Sequence, residues 1–139
     1  MAGLFFAFST SVMPGLARVP GPEGARAMQE SNKTILNPLF LLVFLGTGVL
    51  GVVVAILALV GGASGAVWLV IGGLLYPIGG VVVTMVVNVP MNNRLVAADA
   101  DSAEGQAIWT DYLARWTPWN HLRAVTSALS TAALAIGLI

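Results

Sequence analysis

Between Lys33 and Arg94 the sequence contains no charged residue. A water-facing surface is not built from so long an uncharged stretch, whereas a membrane helix needs ~20 such residues per crossing. The run is long enough for two crossings, and Gly61-Gly62-Ala63-Ser64-Gly65 near its middle reads as a tight turn between them. The rest of the chain agrees with lipid as the solvent. Of 139 residues, 58% are hydrophobic and 9% charged, against roughly a quarter charged in soluble domains. The reading is an all-α fold, an integral membrane four-helix bundle forming one domain over residues 1–139.

Four spans are expected, at about 1–17, 35–60, 66–88 and 118–139. Asn37 is placed to cap the second, with Pro38 at its first helical position. Pro77 is expected to bend the third and to free a carbonyl near Gly73. Thr117-Pro118 reads as a capped start of the fourth. The first is short and ends in Pro14-Gly15, so it reads as a thin span or the end of a longer one. A cleaved signal peptide would need a positive segment ahead of the apolar stretch, and none precedes it here.

Amphipathic interfacial segments fill connections one and three. Over Pro22–Asn32, Ala25 and Met28 oppose Glu23, Arg26 and Glu30. Over Asp101–Trp116, Asp101 and Glu104 have the spacing of a capping box. Trp109, Tyr112, Leu113 and Trp116 share one face of that helix, and Asp111 and Arg115 form an i, i+4 pair elsewhere on it. Close helix packing is expected along Gly51-x-x-x-Ala55, at Gly72, Gly73, Gly79 and Gly80, and along two stripes of the last span, Ala124/Ala128/Ala132 and Ser127/Thr131/Ala135.

Arg18, Arg26 and Lys33 fall in connection one, and Arg94 and Arg115 in connection three; connection two has no basic residue. The positive-inside rule then puts connections one and three in the cytoplasm and both termini outside, in the plasma membrane. A net charge of zero offers no field for nucleic acid. One histidine, no cysteine and no carboxylate inside a span leave too few ligands for a metal, so no metal site is expected. The partners expected are the lipid bilayer and a hydrophobic aromatic small molecule, with homo-oligomers left open.

Polar residues gather near the cytoplasmic ends of spans three and four. Thr84, Asn88 and Asn92 are spaced by four; Asn120, Arg123, Ser127 and Thr131 form a stripe, with Trp116, Trp119 and His121 close in sequence. Ionisable groups at that depth are functional candidates by default. The plainer alternative is that the asparagines bond across helices, Arg123 snorkels and Trp109, Trp116 and Trp119 form an aromatic belt.

Asn88-Val-Pro-Met-Asn92 followed by Trp116-Thr-Pro-Trp-Asn120-His-Leu-Arg123 resembles the anthrone-oxygenase-like family of small four-span membrane proteins. Gly3-Leu-Phe-Phe-Ala-Phe8 and Met13-Pro14-Gly15 also resemble that family's first span. The resemblance implies oxidation of an anthrone- or quinone-like aromatic compound by O₂ without a bound cofactor. On that view His121 is the candidate base. Arg123 and the amides of Asn88, Asn92 and Asn120 would hold an anionic oxygen. Trp109, Trp116 and Trp119 would provide flat walls for the rings. The competing reading is a non-catalytic membrane protein that binds lipid or quinone or supports a partner complex. A transporter is a third, with no inverted repeat to favour it.

Overall fold

The computed structural model describes residues 1–62 and 64–139, and the described residues form five continuous helices: α1 (Ala2–Leu16), α2 (Gly21–Thr34), α3 (Pro38–Gly61), α4 (Ala66–Ala97) and α5 (Ala103–Gly137). Two of them, α3 and α4, are long and apolar enough to cross a membrane; α1 is apolar but shorter.

The caps show how local sequence sets the ends. Asn37 Oδ1 accepts from the Phe40 N–H at 2.9 Å, with Pro38 opening α3 as expected. At the other end Gly62 takes a left-handed conformation (φ 61°), the usual stop for a helix. Of the turn expected over Gly61–Gly65, Ala63 lies outside the described residues. The cap of α5 is one residue later than expected: Ser102 Oγ accepts from the Gly105 N–H at 2.9 Å. Asp101 is instead engaged by Arg26 of α2, which pins connection one to connection three.

Helix α5 corrects a larger expectation. The interfacial segment and the last apolar segment are one helix, with Pro118 inside it rather than at a start. A single stripe explains why the helix continues. Gly105, Trp109, Tyr112, Trp116, Asn120, Arg123, Ser127, Ser130 and Ala133 are all buried, at steps of three or four, and a break at Pro118 would put the two halves out of register. The small-residue stripes read from sequence fall partly elsewhere: Ala128, Thr131, Ala132 and Ala135 are exposed, while Ser127 and Ser130 face inward.

Helix α4 is central, lying against α3 on one side and α5 on the other. Its contact with α3 is backbone to backbone: a Cβ on Gly51 would sit 2.6 Å from the Gly73 carbonyl, and one on Gly73 would crowd Ala55 at 3.0 Å. Gly73 is where Pro77 frees a carbonyl, so the crossing lies beside the bend. Pro77–Val82 and Thr84–Asn88 are π-helical turns, and α4 then continues through Pro90 to Ala97. Such turns absorb the missing proline donors without ending the helix. On the α5 side, Ser130 Oγ donates to the Gly72 carbonyl at 2.6 Å.

Helix α1 packs along α5, and α2 closes the charged end. There Met13, Ala25, Met28, Leu95, Trp109, Tyr112 and Trp116 form the main core, with the three aromatic rings of α5 stacked at 5.8 Å spacing. Gln29 Nε2 reaches the Leu95 and Ala98 carbonyls, at 2.9 and 2.8 Å, and so satisfies the last turn of α4. These contacts place α1, α2, α4 and α5 around one polar level.

Candidate functional site

Arg123 lies at that level, buried to 5% exposure. Its Nη1 donates to Thr84 Oγ1 at 3.0 Å and its Nη2 to Asn120 Oδ1 at 2.7 Å, while Nε has no partner. The guanidinium stacks on Phe5, 4.6 Å from the ring centroid, and on Trp116 at 5.0 Å. The ion pairs among the described residues all join other side chains, so no carboxylate balances this charge. A buried cation normally has an anionic partner, because desolvation is otherwise uncompensated. Two neutral oxygens and two ring faces make up only part of that deficit.

Asn120 holds the arginine in place. It is fully buried, and its Nδ2 donates to the Phe5 carbonyl at 2.6 Å and to Ser9 Oγ at 2.7 Å. This ties α1 to α5 through one amide. Asn92 plays a matching part on α4: its Oδ1 accepts from Tyr112 Oη at 2.8 Å and from Trp116 Nε1 at 2.9 Å. The Tyr112 phenol is held well above its ordinary pKa by burial, with the nearby Asn32 amide and the Arg123 charge pulling the other way. It therefore keeps its proton, and its hydrogen bond goes to Asn92.

These side chains line a cavity of about 90 Å³. Arg123, Asn120, Thr84, Asn92 and Trp116 form its inner wall, and Asn32 and Ser31 approach it from α2. The outer wall is apolar, with Leu4, Phe8, Ile35, Leu36 and Phe40 between α1 and the start of α3. Leu36 is 64% exposed, so the cavity opens on that side. A wider groove adjoins it and shares the Phe8, Ser31 and Ile35 walls. The inner chamber is smaller than the ~300–1,000 Å³ usual for a ligand pocket. It has room for the polar end of a ligand, with the mouth and groove open to the remainder.

The free polar groups are mainly donors. The Asn92 and Asn120 carbonyl oxygens already accept, which leaves Arg123 N–H groups and the Asn92 amide nitrogen. Such a lining suits an oxygen anion.

Several residues singled out in the sequence stand elsewhere. His121 is exposed and does not line the cavity. Trp119 is 40% exposed and is not among the residues that wall the cavity; the rings on Arg123 are those of Phe5 and Trp116. Trp109 is buried in the aromatic core at the charged end. Asn88 is fully buried, with neither side-chain polar atom partnered, and is not part of the cavity wall. Phe5, Ser9 and Asn32 were not anticipated. The first two carry only a generic apolar-helix signal, and Asn32 lies at the end of a polar-looking amphipathic segment.

Comparison with known proteins gives one finding. The sequence model of the family described as Anthrone oxygenase matches residues 40–133. The match takes in α3, α4 and most of α5, hence Thr84, Asn92, Trp116, Asn120 and Arg123, and leaves α1 and α2 outside. No curated protein and no solved structure matches the chain. A family model that fits well over half of the residues, and includes the arginine wall of the cavity, decides the affiliation: the chain belongs to the anthrone oxygenase family.

Proposed function

We propose that the protein is a membrane-embedded oxygenase that binds the ionised form of an anthrone- or quinone-like aromatic compound through Arg123 and lets O₂ attack it. The observation that carries this reading is the buried guanidinium on the cavity wall without a carboxylate partner. Membership of an oxygenase family supplies the reaction class.

An anthrone that loses a proton from its ring methylene becomes an enolate, with charge on the carbonyl oxygen and on the methylene carbon. Arg123 and the Asn92 amide favour that form by charge-assisted hydrogen bonds. The electron-rich carbon gives one electron to O₂, and the resulting radical and superoxide couple to form a C–O bond. Protonation gives a hydroperoxide; loss of the second methylene hydrogen breaks the O–O bond and expels hydroxide. The net change is CH₂ plus O₂ to C=O plus H₂O. One oxygen atom enters the ring system and the other leaves as water.

The cavity-lining side chains include no carboxylate and no imidazole, and exposed His121 gives no geometry for a base inside it. The cavity's part in the reaction is to stabilise the anion, with the first proton leaving to solvent at the mouth. The apolar faces of α1, α3, α4 and the C-terminal half of α5 form the four spans of this reading. Its mouth, edged by Leu4, Leu36 and Phe40, receives substrate from the bilayer.

Oxygen uptake by purified protein with an anthrone, corrected for spontaneous oxidation, tests the proposal. Removing a donor at a developing oxyanion costs ~10²–10³-fold in rate, so Arg123→Gln should lose about that much. Equal uptake by Arg123→Gln and the unaltered protein, with both folded by circular dichroism, would sink the reading.

A further inference from the structure

We propose that Arg94, Arg115 and the outer groove between α4 and α5 bind an anionic phospholipid, with its phosphate at the two guanidinium groups and one acyl chain in the groove. None of these residues lines the Arg123 cavity. The site rests on the membrane placement proposed above and not on the oxygenase chemistry. Asp111 is shared between two cations: Arg94 Nη1 stands 3.5 Å from its Oδ2, and Arg115 Nη1 3.7 Å from its Oδ1. One carboxylate between two arginines leaves a unit of positive charge. The other ion pairs among the described residues, Arg26 with Asp101 and Lys33 with Glu30, are one to one. The next carboxylate on that edge of α5, Glu104, comes seven residues before Asp111, ~10 Å further from the groove. Both guanidinium groups are more than half exposed, so a phosphate can reach them.

Helix α5 leads from this charge into the groove. Asp111, Arg115, Leu122 and Thr126 are separated by four, seven and four residues, which keeps them within ~60° on one edge of the helix. Leu122 and Thr126 form the α5 wall of a groove of about 380 Å³, and Ile78, Gly79 and Val83 are part of its α4 wall. That volume is in the ~300–1,000 Å³ range of ligand sites. The Thr126 hydroxyl, the one polar side-chain group in the lining, is turned back to the Leu122 carbonyl at 2.8 Å. The groove therefore suits a hydrocarbon chain, and the unbalanced charge above it selects a lipid of net negative charge. Leu122 is ~10 Å and Thr126 ~16 Å below Arg115 along the axis, within one leaflet of a ~30 Å hydrocarbon core. Trp119, exposed and one turn below Arg115, is at the headgroup level where indoles collect. Thr84 and Arg123, which bond to each other on the inner side of the same helix pair, directly follow Val83 and Leu122. A chain in the groove thus braces the pairing that carries Arg123.

Native mass spectrometry from non-ionic detergent can compare dioleoyl-phosphatidylglycerol with dioleoyl-phosphatidylcholine, which share their chains and differ in net charge. The unaltered protein should bind the first about fivefold more tightly, the effect of one basic side chain at an anionic headgroup. Arg115→Gln leaves Arg94 and Asp111 as a neutral pair and should remove that preference. Arg94→Gln leaves Arg115 with Asp111 and should do the same, and it serves if the first variant does not fold. Arg18→Gln takes one charge from an exposed position elsewhere and should leave the preference intact. Equal losses in Arg18→Gln and Arg115→Gln would mean that overall charge attracts the lipid, and would overturn the site. Leu122→Trp, which fills the groove, should weaken both lipids alike, whereas Leu57→Trp, exposed on α3, should weaken neither. Equal effects of those two variants would overturn the groove as the seat of the chain. sn-Glycerol 3-phosphate, a headgroup without chains, should not displace the lipid; displacement would mean a simple anion site and overturn the proposal. A protein that stays in solution without detergent overturns the membrane placement and the lipid site together. A detergent-dependent protein with no preference between the lipids overturns the lipid site alone and leaves the Arg123 reading standing.

Discussion

Asn120 joins Phe5, Ser9 and Arg123; without it Ser9 Oγ and Arg123 Nη2 would have no partner, while the Phe5 carbonyl would keep only its bond within α1. Asn120→Ala should therefore cost ~2–4 kcal/mol, since each buried polar group that loses its partner is worth ~1–3 kcal/mol. Thermal unfolding in detergent, with Arg123 and Ser9 intact, measures it. Asn120→Asp is expected to behave differently. A carboxylate beside Arg123 supplies the missing counter-charge from within, so anion binding and oxygen uptake should disappear while the protein remains folded. Retained uptake in a folded Asn120→Asp protein would refute the idea that the bare charge is what the site uses. Spacing in the sequence was enough to place Asn120 and Arg123 on one stripe. It failed for His121 and Trp119 for a geometric reason: each is one residue from Asn120, and one residue turns a helix by ~100°. Closeness in sequence groups such residues, but the turn faces them away. Asn32 and Phe5 were not legible because their roles depend on α1 and α2 meeting α5 across long sequence separations.

The elements owe their shape to a few backbone approaches. At Gly51 and Gly73 the backbones of α3 and α4 are in contact, and no side chain fits between them. Gly73→Ala should lower stability by ~1–3 kcal/mol, because the obstacle is backbone and cannot rotate away. Gly46 on α3 has open space where a Cβ would stand. Gly46→Ala should raise stability by up to ~1 kcal/mol through helix propensity alone. The two variants add the same methyl group, one at the helix crossing and one away from it, so opposite shifts in melting temperature isolate the approach at Gly73. Like shifts would mean the crossing is looser than the structure shows. Small-residue spacing identified this crossing from sequence, since Gly51-x-x-x-Ala55 is on the contact face. The same reasoning misplaced the stripe on α5. Alanine and threonine there recur at helical spacing on several faces, and only the continuous run from Trp109 through Arg123 to Ser130 shows which face is inward. Pro118 concealed that run, because a proline after a threonine carries the same local signal at a helix start and inside a helix held by tertiary packing.

The molecule has two unlike ends. Arg26 of α2 meets Asp101 before α5, and Arg94 at the end of α4 meets Asp111, so the charged connections gather at one end with the cavity beside them. At the other end Gly65 lies against Gly137, and the sequence there has no charged side chain. Between the ends, large apolar side chains face outward, Leu42 at 70% exposure and Leu57 at 64% among them. Such a surface is suited to lipid rather than water. Under the membrane reading proposed above, the positive-inside rule predicts that the charged end, and the cavity with it, faces the cytoplasm. The chain has no cysteine, so a single introduced thiol reports its own position. Ser64 and Glu104 are both exposed, at opposite ends, and neither is part of the cavity. An impermeant maleimide applied to intact cells should label Ser64→Cys and spare Glu104→Cys, with both reacting once the cells are opened. The reverse pattern would invert the orientation. It would also put the proton released at the cavity mouth, and the polar end of any substrate, on the outer side of the membrane.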